Sequence, residues 1–201
     1  MNEERFTEDD LRPSDEERAA ALRDKIDRAA AIVAVLATGV WIGGMIALGA
    51  CAAPFVFEIV PGPLSGYAMG SAFARFDKIA LGASVLVLAA EVARTWAAGT
   101  AGRRPAARIR RILAIVMAMG AAYTGLTITP QINGLYRDGA RRGDGDAGVH
   151  LDRIHKRAEL IGKAVTAGGV ALVTLHMLTL GARKPDDDDT EYLAPLPPGP
   201  R

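Results

Sequence analysis

The residues with the most chemical potential in this chain are few. It has one cysteine, three histidines and six methionines. His176 and Met177 stand side by side in an apolar stretch. With Cys51 they offer imidazole, thioether and thiolate, a soft donor set that suits Cu(I), and Met45, Met117 and Met119 would extend it. Six methionines in 201 residues is no enrichment, however, and no HxxM or MxxM spacing occurs within an apolar run. The plainer expectation for His176 is a ring satisfied inside a helical bundle by hydroxyls such as those of Tyr123, Thr124 and Thr127, because an imidazole in an apolar span is costly without a partner. Glu91 and Arg94 are three apart, on one helical face and within pairing reach. A proton or ion relay would need more than that one carboxylate. Arg94 and Lys163 are expected to reach out along the surface toward lipid headgroups, with Glu58 in the outer interface. His155 and Glu159 lie one turn apart with His150 near, so a surface metal site can be drawn, although each also suits the polar face of an amphipathic helix. Asp144-Gly145-Asp146 lacks the remaining ligands of a calcium loop and reads as a turn. A P-loop, GxSxG, HExxH and CxxC are all missing from the sequence. Nothing pairs a nucleophile with a base, so neither an enzyme nor a cofactor is expected.

The elements that would position these residues follow from the distribution of charge. With 50% hydrophobic and 23% charged residues, the average suits a soluble domain. Position by position it does not. Residues 29–57, 112–136 and 164–182 form uncharged runs of 29, 25 and 19 residues, and about 18 mostly apolar residues are enough for a helix to cross a bilayer. An all-α, four-helix transmembrane bundle is therefore expected, with spans at about 30–53, 79–98, 112–130 and 160–181. Glu91 and Arg94 make the second span the least clean.

Ser14 followed by Glu17 predicts a capping box and a helical stem running into the first span. Pro54 marks that span's outer end or a kink. Pro61-Gly62-Pro63 is a turn, with Ser65 the expected cap of the next helix. Met69, Phe73, Phe76 and Ala80 then form an apolar stripe before the second span, as Leu151, Ile154, Ala158 and Ile161 do before the fourth. Residues 137–148 read as a flexible loop and Pro130 as the end of the third span. Gly39 and Gly43 make a small-residue seam, extended by Gly49 and Ala53, for a neighbouring helix of the bundle or of a second copy.

Residues 1–28 carry a charge of −4, 29–182 carry +7 and 183–201 carry −2. The chain thus divides into an acidic segment with a helical stem at 1–29, a membrane domain at 30–182, and an acidic, Pro-rich tail at 183–201 expected to be disordered. The basic excess lies beside the spans, so no nucleic-acid partner is expected. Lys and Arg number fifteen on the side of the termini and nine on the other. That favours cytoplasmic termini in an inner membrane, by the positive-inside rule. One cysteine excludes an intrachain disulfide. Leu48-Gly49-Ala50-Cys51 has the look of a lipobox, but ten acids precede the run where a signal peptide is basic, so Cys51 is expected to be a small packing residue.

Several of these residues together resemble a known family. Gly39-Val40-Trp41-Ile42-Gly43-Gly44 and Ala53-Pro54-Phe55-Val56-Phe57 are followed by Ser65-Gly66, Met69-Gly70, Phe73 and Phe76, then Thr129-Pro130-Gln131-Ile132, and Leu151 to His155 before the last span. This resembles the bacterial four-span domains of unknown function related to transmembrane protein 205. The resemblance covers roughly residues 30–180. It implies a four-helix membrane bundle without an agreed reaction, and marks Gly43, Gly44, Pro54, Phe57, Phe73, Pro130 and His155 as family-motif positions. His155 meets the family's Phe-x-x-x-His-x-x-Ser pattern, while Leu151 and Ala158 stand in place of its phenylalanine and serine. A looser similarity to copper-resistance membrane domains keeps metal handling as the alternative. The expected partners are the lipid bilayer, a second copy or a membrane complex, for a structural or accessory component.

Overall fold

The computed structural model describes residues 13–62, 64–99 and 105–181. The acidic residues before Pro13, residues 100–104 between the second and third expected spans, and the proline-rich tail expected to be disordered lie outside the described residues. Helix α1, Asp15–Ile46, begins as its sequence predicts. The Ser14 hydroxyl accepts from the Glu17 backbone N–H at 3.2 Å, and the Glu17 carboxylate accepts from the Ser14 N–H at 2.6 Å. The Ser14 backbone bond, with help from its hydroxyl, holds the Glu17 carboxyl below the ordinary range.

The helix then runs past its proline. A π-helical stretch, Ala47–Ala52, carries the backbone into α2, Ala53–Ile59. Pro54 has no N–H for the carbonyl one turn back and its ring crowds that carbonyl. Widening the preceding turn to π geometry accommodates both problems. The third rod repeats the device: α4, Pro105–Tyr123, passes through a π turn at Thr124–Ile128 into α5, Thr129–Arg137, with Pro130 in its first turn. Both prolines therefore sit inside continuous rods, and the helix expected to end near Pro130 continues to Arg137.

The other two rods are single helices, α3, Leu64–Ala98, and α6, Gly145–Gly181. Ser65 is the second residue of α3 and does not cap it. Gly99, at φ +52°, turns the chain out of α3 in the left-handed conformation open to glycine. The loop expected to run to Gly148 is shorter, because Gly139 and Gly143 at φ +83° and +79° close it and α6 starts at Gly145.

Helix α1 packs on α3 and α6, and α4 packs on the same two, so the main pairings close a ring. Trp41, Phe76, Val87, Met117 and Leu172 meet in its core. The expected stripes are used as such: Met69, Phe76 and Ala80 are buried with Phe73 half-buried, and Leu151 and Ile154 are buried with Ala158 and Ile161 packed against their cluster. Ala30 and Ala34 of α1 lie against Ala90 of α3, a seam whose small side chains let the backbones approach. Gly39 and Gly43 do not serve such a seam within the chain, since a Cβ on either would meet nothing within 4 Å. Gly44 does have a packing role, because a Cβ there would run into the Phe76 ring.

The outward faces are apolar: Ile32, Leu36 and Val40 on α1, Val85 and Val92 on α3, Ile112 on α4, and Leu160, Val170 and Leu178 on α6 are exposed. Three rods, Asp15–Ile59, Pro105–Arg137 and Gly145–Thr179, are long and apolar enough to cross a membrane. Among the described residues there is no strand.

Candidate functional site, a buried ionic cluster

Four helices bring polar side chains together where α1 enters the helix ring. Each such residue continues a buried stripe of its own helix. Asp27 precedes Ala30, Ala34 and Trp41; Arg110 precedes Ala114, Met117 and Ala121; Glu91 and Arg94 follow Ser84, Val87 and Ala90; His176 and Thr179 follow Val165 and Leu172. Helical periodicity thus turns all of them inward.

Arg94 Nε donates to Asp27 Oδ1 at 2.9 Å, and Arg110 Nε donates to Glu91 Oε1 at 2.6 Å. Arg110 Nη1 also donates to Thr179 Oγ1 at 3.1 Å. Arg94 Nη1 lies 2.7 Å from His176 Nδ1. A guanidinium has no acceptor, so Nδ1 must accept. The proton of the neutral ring is then on Nε2, which faces Glu91 Oε1 at 3.3 Å. That separation falls short of a well-formed hydrogen bond, and Nε2 and Glu91 Oε2 have no hydrogen-bond partner among the described residues. Glu91 and Arg94 are each 3% exposed, Arg110 5% and His176 0%.

Two carboxylates, two guanidinium groups and a neutral imidazole make the cluster formally neutral, which is how buried charge is tolerated. Its chemistry is that of an ionic lock. Each carboxylate is held by an arginine, Asp27 by Arg94 and Glu91 by Arg110 through Oε1, while Glu91 Oε2 stays without a hydrogen-bond partner among the described residues.

The sequence-predicted residues are distributed differently from expectation. Glu91 and Arg94 do not pair with each other but with Arg110 and Asp27. Arg94 is drawn inward and does not reach toward the headgroups, because Asp27 and His176 offer it acceptors inside. His176 takes Arg94 and Glu91 as neighbours in place of Tyr123, Thr124 or Thr127; Tyr123 is exposed. The soft donors are not brought together. Met177 and Cys51 are exposed, and Cys51 stands 24 residues beyond Asp27 on the first rod, roughly 36 Å along its axis at 1.5 Å per residue. Met117 is buried against Gly168 and Gly169, Met45 lies near Gly162, and Met119 is exposed. Among the described residues no three His, Cys, Asp or Glu side chains group where they could hold a metal ion.

Lys163 is exposed and pairs with Glu159 at 2.7 Å. His155 faces elsewhere: its Nε2 lies 3.1 Å from the Tyr136 hydroxyl, with the rings edge to face at 5.8 Å. Glu58 and His150 are exposed. The family-motif positions divide in the same way. Phe57, Pro54 and Pro130 belong to the far ends of their rods, Gly44 seats Phe76, Phe73 is half-buried, and Gly43 faces open space.

Sequence reasoning missed Asp27, Arg110 and Thr179, which it counted with the stem, the link between the second and third spans, and the end of the fourth span. Their signal was the stripe: Asp27 stands seven residues before Ala34, Arg110 seven before Met117, and Thr179 seven after Leu172. Asp77 was missed too. It is buried beside the second π turn, where its Cβ and Cγ lie within 4 Å of a Cβ position at Gly125. Its Oδ2 has no hydrogen-bond partner among the described residues. Asp77, Ser84 and Glu91 are spaced by sevens, a polar file down one face of α3.

These observations define an all-helical protein with apolar rods compatible with a membrane and a charge-paired interior. Residues 36–141 match the model of a domain of unknown function, DUF4149, and the chain belongs to that family. No curated protein and no solved structure matches the chain.

Proposed function

We propose that this chain is a four-span protein of the inner membrane, with both termini cytoplasmic, and a non-enzymatic structural or accessory component of that membrane. The ionic cluster is the observation that carries this reading. It ties α1, α3, α4 and α6 together at one end and consumes the buried charges in pairing, as a rigid support would and a reaction centre would not. Beyond it the stem of α1 is largely exposed and bears Asp15, Glu16 and Glu17 in its first turn, a cytoplasmic arm suited to a partner of a membrane complex. The outward faces suit lipid, and the open Gly39 and Gly43 face suits a second copy. No nucleic-acid partner is proposed. The likeness to relatives of transmembrane protein 205 belongs to this proposal.

Cysteine labelling tests the span count. In a Cys51→Ser background, single cysteines placed within 105–108 and within 138–144 are expected to react from opposite faces of sealed membranes, the first with the cytoplasmic side. Labelling of both from one face would sink the four-span reading.

A further inference from the structure

The end of the molecule opposite the ionic cluster has a different chemistry. There the first turn of α3 and the loop between α5 and α6 leave a cavity of about 280 Å³, whose walls include Phe57, Ser65, Gly66, Tyr136, Arg141 and Arg142. Ser65, Arg141 and Arg142 among its walls carry side chains that can donate hydrogen bonds. Ser65 is 5% exposed, and its hydroxyl has no hydrogen-bond partner among the described residues. Its oxygen is not fully enclosed, so the hydroxyl is open to whatever occupies the cavity.

Ser65 and Gly66 lie in the first turn of a helix of 35 residues, where backbone N–H groups lack carbonyls within the helix and the peptide dipoles sum to positive potential. The Ser65 N–H is bonded to the Pro61 carbonyl at 3.2 Å, so of the two wall residues in this turn Gly66 is the one with an N–H to offer. Its missing side chain matters, because a Cβ at position 66 would collide with the Tyr136 ring that forms the cavity floor. His155 holds that ring from behind through the Tyr136 hydroxyl. Arg141 forms no ion pair among the described residues. Arg142 gives one Nη2 bond to Asp152 Oδ1 at 2.7 Å, which leaves the rest of its fork unused. Asp152 is the acid that competes for it.

We propose that this cavity binds a phosphate-class anion, either a lipid phosphate headgroup or free phosphate, on the Ser65 hydroxyl, the Gly66 amide and the Arg141 and Arg142 guanidinium groups. Phosphate fits because a helix start with converging arginines supplies backbone donors and charge together. Phe57 forms the apolar side of the cavity, and Phe55 and Ile59 beside it on α2 are exposed. An acyl chain would run along that face. Tyr136 and His155 are positioning residues, which gives the motif residues Phe57 and His155 a shared place. The proposal does not use the ionic cluster, so it stands or falls separately from the structural reading above.

The test is titration calorimetry of the full chain in non-ionic detergent. One arm uses inorganic phosphate, a second phosphatidylglycerol in mixed micelles, and a third phosphatidylcholine as the neutral control. Saturable binding of phosphatidylglycerol without phosphate would assign a lipid headgroup, and binding of phosphate as well would assign a soluble anion. Arg141→Gln is expected to weaken whichever binds about tenfold, the size of one charge-assisted hydrogen bond. Ser65→Ala should weaken it about threefold, while the exposed Arg153→Gln should leave it unchanged. Unshifted thermal midpoints would show that the variants are folded. The proposal is overturned if neither anion binds above phosphatidylcholine, if Arg141→Gln and Ser65→Ala bind as wild type does, or if Arg153→Gln loses as much as Arg141→Gln.

Discussion

Glu91 illustrates how a charged residue is tolerated in an apolar helix. It stands one turn from Arg94, yet its partner is Arg110, 19 residues on in the next rod. Arg94 in turn reaches Asp27 across a separation of 67 residues. Two residues on one helical face can pair only across its surface, whereas both of these point into the interior, where other helices supply better-placed partners. Breaking such a pair leaves an unpaired buried charge. Glu91→Leu is therefore expected to destabilise the protein by about 3–5 kcal/mol, while Glu91→Leu with Arg110→Met together should recover most of that loss. Thermal unfolding of the purified variants in detergent checks this, and a double variant no more stable than Glu91→Leu would contradict it. Asp77 is the opposite case, a buried carboxyl with no cation paired to it among the described residues. The physics of the pair was hidden from the sequence because no spacing rule connects Asp27 with Arg94, although the sevenfold spacing of Asp77, Ser84 and Glu91 was present to be read.

At the scale of elements, much was legible. Ser14 and Glu17 set the start of α1 through bonds local to four residues. The stripes through Met69 and Phe76, and through Leu151 and Ile154, are buried in large part. The prolines were legible as features without their consequence. Whether Pro54 or Pro130 ends a helix depends on whether the preceding turn widens, and packing on α3 beyond each proline keeps the rod continuous. The glycines show the same division. Gly43 and Gly44 are neighbours of one composition, yet one faces open space and the other lies under Phe76. Gly44→Ala should cost about 1–3 kcal/mol by overpacking a buried ring. Gly43→Ala should be neutral or stabilising by up to about 1 kcal/mol, the helix propensity gained. Equal effects of the two on the thermal midpoint would argue against the packing of Phe76 on α1.

For the whole molecule, the two ends of the helix ring differ in kind. One end is closed by neutralised charge, and the other holds a cavity lined with donors. Between them the outward surface is apolar, with Gly39 and Gly43 exposed along α1. The proposed second copy would use that surface. Gly43→Cys in a Cys51→Ser background is expected to give an oxidatively cross-linked dimer in native membranes, while Ala34→Cys, buried against α3, should give none; monomer alone from both would remove the dimer.

By itself the sequence determined that the chain is helical, that its uncharged runs make long apolar rods, and where the first of them begins. Those features depend on neighbours a few residues away and on the length of a run. Tertiary structure decided which charges meet, that His176 sits between Arg94 and Glu91, that Ser65 opens into a cavity and does not cap its helix, and which glycine is covered. Each of these depends on the rotation and closeness of rods whose contacting residues are tens of positions apart, and helical periodicity places a residue on a face without saying what stands opposite it.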